Sequence, residues 1–178
     1  MTRGFVAVPL PEAVLDAVVR ATSELWVPGR STTRDQWHLT LQFLGNDADI
    51  DAVTAALASL DATGGRVRMG GAGAFPDPRH ARVLWLGVTE GLDVLARLSA
   101  AVEVCTEPLG HVRETRAFRP HLTLARFGAP SDLRAMIADI GDDPIGPAWD
   151  VESVTVYESR LGAGGARYVE RATIPLPG

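Results

Sequence analysis

The chain has 178 residues, of which 46% are hydrophobic and 22% are charged. This balance is typical of one folded domain with a sizeable apolar core, without the composition of a disordered chain. Lysine is absent and all 17 basic residues are arginine, which excludes Schiff-base chemistry, a covalent nucleotidyl-lysine and a Walker-type phosphate loop. The net charge of −5 argues against a broad surface for duplex nucleic acid, but allows a small site that grips one or two phosphates.

The chain lacks the features of a membrane or exported protein. No apolar run approaches the roughly 20 residues that cross a bilayer, and the N-terminus has no signal-peptide pattern. Cys105 is the only cysteine, so an intrachain disulfide is impossible and a reducing compartment fits. We therefore expect a cytoplasmic protein with no membrane partner.

Apolar periodicity and turn residues predict elements that repeat along the chain. The second half echoes the first, and each half alone is too small to close a core. We therefore predict the α+β class, with residues 1–178 forming a single domain of two pseudo-symmetric lobes. The predicted elements, in order, are a strand at 3–9, a helix opened by Pro11 and Glu12, a polar loop at 27–35, a strand at 37–44, a helix at 50–60, strands at 66–70 and 81–89, a helix at 91–108, a strand at 118–127, a short helix at 131–141, and strands at 149–158 and 166–174.

The tetrapeptide His-Leu-Thr-Leu occurs once in each half, beginning at His38 and at His121, 83 residues apart. In an extended strand alternate side chains share a face. Both leucines of each copy can therefore anchor in a core while the histidine and threonine project into a cleft. One such strand is an ordinary sheet segment, whereas two copies at matching places predict a shared site.

Two histidines on opposite sides of a phosphorus atom can act as an acid and base pair. One takes a proton from attacking water while the other gives a proton to the leaving oxygen. Thr40 and Thr123 can donate hydrogen bonds to the charged phosphate oxygens. This chemistry needs no metal and no cofactor. Zinc is the alternative, but each strand supplies one histidine and no nearby cysteine or paired carboxylate, so we predict no metal site.

The residues around both motifs carry a resemblance to a known family. Residues 5–11, 37–45, 82–88 and 118–126, with Tyr157-Glu158-Ser159 and Tyr168 near the end, resemble the two-histidine phosphoesterase superfamily. Within it, the chain is most similar to the RNA 2′,3′-cyclic phosphodiesterases, historically called 2′-5′ RNA ligases, and the similarity covers nearly the whole chain. The resemblance implies a duplicated bilobal fold, with two antiparallel sheets flanked by helices around a central cleft.

The resemblance also implies an activity and roles for individual residues. The activity is hydrolysis of an RNA 2′,3′-cyclic phosphate end to a 2′-phosphomonoester, with reversible 2′-5′ ligation that needs no ATP. His38 is the expected general acid and His121 the expected base. Arg126 matches a phosphate-contacting arginine of the family, although strict alternation would turn it away from His121 unless a bulge or the strand end re-aims it. Phe43 at the same offset either stacks on a base or fills the core.

Two other functions stay open at this point. The first is an RNA-end-binding module without turnover, and the second is a phosphodiesterase that acts on a small cyclic-phosphate metabolite. The expected partner is RNA with a 2′,3′-cyclic phosphate end or a small cyclic nucleotide, and the chain is expected to be a monomer.

Overall fold

The computed structural model describes residues 2–25, 27–162 and 165–177. The helices are α1 (Glu12–Thr22), α2 (Ile50–Leu57), α3 (Leu92–Thr106) and α4 (Arg134–Ile140), with 3₁₀ turns at Arg34–Gln36 and Glu107–Leu109. The strands are β1 (Arg3–Pro9), β2 (Arg30–Ser31), β3 (His38–Gly45), β4 (Gly65–Phe75), β5 (Ala81–Glu90), β6 (Leu122–Ser131), β7 (Pro144–Val151), β8 (Ser153–Gly162) and β9 (Gly165–Pro175). Within these ranges no helix has the length and the apolarity needed to span a bilayer.

The strands form two antiparallel sheets, one in the order β3-β1-β8-β9 and the other in the order β2-β6-β5-β4-β7. The predicted α+β class with two antiparallel sheets is therefore confirmed. If the short strand β2 is left out, the strand orders of the two sheets correspond. Each motif strand then lies at the edge of its sheet, beside the strand that precedes it in the chain: β3 beside β1, and β6 beside β5. A duplicated chain would have this arrangement, and the division of one domain into two lobes stays a prediction.

The core lies between the sheets and the apolar faces of the helices. β1 is buried from Phe5 to Val8, because it lies between β3 and β8 and is covered on both faces, as its continuous apolar run predicts. α1 turns Val14, Ala17 and Val18 inward and packs against β7. α3 packs against β3, the strand that carries the first motif.

Several predicted boundaries were wrong. β4 continues past residue 70, because Gly70 and Gly71 adopt positive φ angles inside the strand and produce a register irregularity rather than an end. The second motif strand begins at Leu122 and extends to Ser131, so α4 starts three residues later than predicted.

The single strand predicted at 149–158 is two strands that belong to different sheets. β7 pairs with β4, whereas β8 pairs with β1. The chain changes sheet at Glu152, where hydropathy alternation gives no sign of a break. The loop predicted at 27–35 also contains a short strand, β2, which pairs with β6.

Candidate active site

Residues of both sheets line an open cleft of about 330 Å³. All six residues predicted for the site line this cleft. The predicted residues in the lining are His38, Thr40, Phe43, His121, Thr123 and Arg126. The others are Arg3, Phe5, Thr32, Gln36, Ser159, Ala166 and Tyr168.

Each histidine is held by the backbone carbonyl two residues before it. The Nδ1 atom of His38 lies 2.7 Å from the Gln36 carbonyl oxygen, and that of His121 lies 2.8 Å from the Arg119 carbonyl oxygen. A carbonyl oxygen only accepts, so Nδ1 carries the proton and donates it in both cases. The neutral rings therefore share one tautomer, in which Nε2 has the lone pair that takes a proton.

A β-bulge interrupts each motif strand at the same place. In β3, Leu41 is the extra residue between two consecutive pairs with β1. In β6, Leu124 is the extra residue between two consecutive pairs with β5. A bulge reverses the alternation beyond it, which returns Phe43 and Arg126 to the cleft face. The expected re-aiming of Arg126 is thus explained by a bulge.

The bulge carbonyls accept hydrogen bonds from donors on other elements. The Ser99 hydroxyl on α3 donates to the Leu41 carbonyl at 2.7 Å and is buried. Thr32 donates its backbone N–H to the Leu124 carbonyl at 2.8 Å, and its Oγ1 lies 2.6 Å from the Thr123 carbonyl oxygen. A buried carbonyl without a donor costs about 1–3 kcal/mol, so these contacts stabilise the irregular strand geometry.

Aromatic rings surround both imidazoles. His38 stacks on Phe5 with 4.6 Å between ring centroids, and the edge of Tyr168 meets it at 5.2 Å. His121 meets Phe75 edge-on at 4.9 Å, and Trp85 lies 6.2 Å away. These contacts fix the ring planes and remove water from one side of each histidine, which lowers the local dielectric.

The glycine at position 73 makes room for the Trp85 indole. A Cβ atom there would overlap the indole ring, because Gly73 lies opposite Trp85 on the neighbouring strand. The aromatic support beside His121 therefore depends on a residue without a side chain.

The surroundings favour neutral histidines in the free protein. Burial lowers the pKa of His38 from 6.5 to about 4, the hydrogen bond to the Gln36 carbonyl opposes this, and the charges of His121 and Arg126 lower it further. Burial also lowers the pKa of His121, with a further contribution from Arg126. The positive charge of Arg126 therefore acts on both rings, so the three groups lie close enough to interact electrostatically.

A strap at residues 30–37 connects the two motif strands. The strap pairs with β6 through Arg30 and Ser31, and it leads directly into β3. The Trp37 indole N–H donates to Thr32 Oγ1 at 2.9 Å, and Thr32 contacts the Thr123 carbonyl. One chain of hydrogen bonds thus joins the residue before His38 to the second motif.

Sequence reasoning did not identify Thr32, Gln36 or Arg3 as cleft residues. Thr32 lies in the predicted polar loop at 27–35, Gln36 lies between that loop and the strand predicted at 37–44, and Arg3 begins a strand that was recognised by its apolar residues. Phe43, left open between core and cleft, is 58% exposed and therefore does not fill the core. Within the described ranges, no group of three or more His, Cys, Asp or Glu side chains is placed to hold a metal ion.

Comparisons with known proteins identify relatives of this chain. The model of the 2′-5′ RNA ligase superfamily matches residues 11–163. An RNA 2′,3′-cyclic phosphodiesterase of Aeropyrum pernix is 33% identical over 147 residues, covering 80% of this chain and 83% of that protein. A protein of the same name from Escherichia coli is 30% identical over 174 residues, covering 93% and 92%.

The fold is also that of a solved structure. The crystal structure of Escherichia coli LigT complexed with 3′-AMP matches with a TM-score of 0.81 and 25% identity, and the match covers 99% of each chain. The family model, the relatives and this structural match confirm the resemblance carried by the two motifs. The chain therefore belongs to the 2′-5′ RNA ligase superfamily.

Proposed function

We propose that this protein is an RNA 2′,3′-cyclic phosphodiesterase that opens the cyclic phosphate at an RNA 3′ end to give a 2′-phosphomonoester. The observation that carries the proposal is the pair of histidines in one cleft, each with Nδ1 committed to a backbone carbonyl. The relatives in Aeropyrum pernix and Escherichia coli that bear this activity in their names support it.

The proposed reaction moves one proton at each histidine. Nε2 of His121 takes a proton from water as the water oxygen bonds to phosphorus. The bond from phosphorus to the 3′ oxygen breaks, and protonated His38 gives its Nε2 proton to that oxygen. Solvent exchange then restores both protonation states. Ligation follows the same course with a 5′ hydroxyl in place of water: His121 takes the hydroxyl proton, the bond from phosphorus to the 3′ oxygen breaks, His38 protonates that oxygen, and a 2′-5′ linkage forms without a nucleotide cofactor. By microscopic reversibility the roles of the two histidines interchange when this linkage is cleaved back to the cyclic phosphate.

The other predicted residues stabilise the charge and hold the nucleotide in this proposal. Thr40 and Thr123 donate hydrogen bonds to the non-bridging oxygens, which gain negative charge as water attacks. Arg126, close enough to lower the pKa of both histidines, supplies a positive charge beside the same oxygens. The exposed ring of Phe43 offers a surface on which the terminal base stacks.

The test is product analysis with a 2′,3′-cyclic-ended oligonucleotide, separating 2′-phosphate from 3′-phosphate products. We expect only the 2′-phosphate. His38→Ala and His121→Ala should each lower kcat/KM by about 10²–10⁴-fold, which is the contribution of a positioned acid or base. His80→Ala is the matched control, because His80 lies in an exposed turn beside Asp77, outside the cleft lining.

A chelator arm tests the proposed independence from metal. Activity should be unchanged by EDTA, whereas loss of activity with EDTA and its return with zinc would favour a metal enzyme. Tight binding of the cyclic-ended oligonucleotide without turnover would favour the binding module. Preference for a small cyclic-phosphate metabolite would keep the chemistry but change the substrate. RNA is the substrate class we propose, for a monomeric, cytoplasmic enzyme.

A further inference from the structure

One end of the cleft carries polar groups that the proposed reaction does not use. Arg3 on β1 lies opposite Ser159 on β8, and Ser159 lies opposite Tyr168 on β9. All three line the same cleft as the histidines. They form a row of one guanidinium and two hydroxyl groups, which we call the Arg3 row.

The polar groups of the Arg3 row have no protein partner in the described part of the chain. No carboxylate there pairs with Arg3, and neither the Ser159 nor the Tyr168 hydroxyl makes a hydrogen bond to the protein. Eight of the other arginines in the described part of the chain form ion pairs with carboxylates, as Arg34 does with Glu12 and Asp16 and Arg160 does with Glu158. The Arg3 row therefore keeps its donors available to a ligand in the cleft.

The Arg3 row is close to the histidines but separate from the reacting position. Arg3 and Phe5 are alternate residues of β1, about 7 Å apart along the strand, and His38 stacks on Phe5. Tyr168 connects the Arg3 row to the histidine, because its ring makes an edge contact with His38. A phosphate at the Arg3 row is thus a different phosphate from the one between the histidines.

We propose that Arg3, assisted by Ser159 and Tyr168, binds the phosphodiester on the 5′ side of the nucleotide that carries the cyclic phosphate. This inference rests on the proposed function and specifies its substrate as an RNA chain rather than a mononucleotide. Phe43 lies opposite Phe5 on the adjacent strand, and its exposed ring can stack on the terminal base. In this arrangement the cyclic phosphate lies between the histidines and the phosphodiester on its 5′ side lies at the Arg3 row.

The experiment measures binding of reaction products by calorimetry, so that it needs no turnover. The ligands are a dinucleotide with a terminal 2′-phosphate, the matching mononucleotide 2′-phosphate, and a nucleoside 2′,5′-bisphosphate. The proteins are the wild type, Arg3→Gln and Arg20→Gln. Arg20 is the matched control, an exposed arginine in the last turn of α1 that does not line the cleft.

The wild type should bind the dinucleotide about fivefold more tightly than the mononucleotide, as expected for one exposed charge pair. Arg3→Gln should remove this gain and leave mononucleotide affinity unchanged, while Arg20→Gln keeps the gain. The slope of log affinity against log salt for the dinucleotide should also fall by about 0.7 in Arg3→Gln, the value for one phosphate of a single strand. Arg3→Lys should restore this salt dependence in part.

Equal weakening of mononucleotide and dinucleotide in Arg3→Gln would overturn the proposal, as would no weakening of either. An Arg3-dependent gain seen only with the bisphosphate would identify a 5′-phosphorylated mononucleotide and contradict the RNA assignment. If the wild type shows the Arg3-dependent gain but opens no cyclic phosphate, the proposed reaction fails while the binding site stands.

Discussion

At the scale of single residues, the imidazoles of His38 and His121 make the same kinds of contact with different neighbours. Each donates its Nδ1 proton to a carbonyl two residues back, and each rests on aromatic rings, Phe5 for His38 and Phe75 for His121. The motifs predicted the histidines and threonines because alternation in a strand is a local property. The aromatic neighbours come from distant strands, so their positions depend on sheet register that no local pattern encodes.

The lowered pKa values predict an acidic optimum for the free enzyme. Catalysis by the pair requires one proton shared between two histidines whose pKa values both lie below 6.5. Raising the pH therefore removes the catalytic proton, and kcat/KM should fall about tenfold per pH unit above pH 6.5. The bound phosphate raises both pKa values, so the kcat profile should decline at higher pH than kcat/KM. A kcat/KM that stays flat or rises from pH 6.5 to 8.5 would contradict this assignment.

At the scale of elements, the decisive features are the bulges in β3 and β6. Strict alternation places Arg126 and Phe43 away from the histidines, and only the extra residues Leu41 and Leu124 return them to the cleft. A bulge depends on hydrogen bonds to other elements, here from the Ser99 hydroxyl to the Leu41 carbonyl and from the Thr32 backbone N–H to the Leu124 carbonyl. The sequence therefore suggested a bulge only through the family resemblance, and its position became visible only in the sheet pairing.

Thr32 offers a test of whether the strap positions the second motif. Thr32→Val removes the hydroxyl that contacts the Thr123 carbonyl and accepts from Trp37, while it keeps the side-chain shape. We expect kcat to fall about tenfold with a smaller change in KM, and the free energy of unfolding to fall by about 1–2 kcal/mol. Kinetics and denaturant unfolding measure the two effects.

Two further variants control this experiment. Thr32→Ser keeps the hydroxyl and should restore kcat. Thr54→Val removes a hydroxyl that bonds only within α2, and it should leave kcat unchanged. A Thr32→Val variant that is destabilised but has wild-type kcat would show that the strap serves stability alone.

At the scale of the whole molecule, the site exists because two sheets present one motif each to a common cleft. The motif strands are not paired with each other: β3 is an edge strand of one sheet, and β6 lies next to the edge of the other. The repeated order of elements predicted this two-part design. It did not predict the change of sheet at Glu152 or the strap at residues 30–37, because both depend on which distant strand each segment pairs with.

The most direct test of the account is a histidine NMR titration with a nucleoside 2′-phosphate. The chain has four histidines, so their ring proton resonances are few, and His80 and His111 lie outside the cleft lining as internal controls. If both catalytic rings face one phosphate, saturating nucleotide should raise the pKa values of His38 and His121 together by about 1 or more, while the His80 and His111 resonances do not move. A response by only one of His38 and His121 would contradict the shared phosphate position.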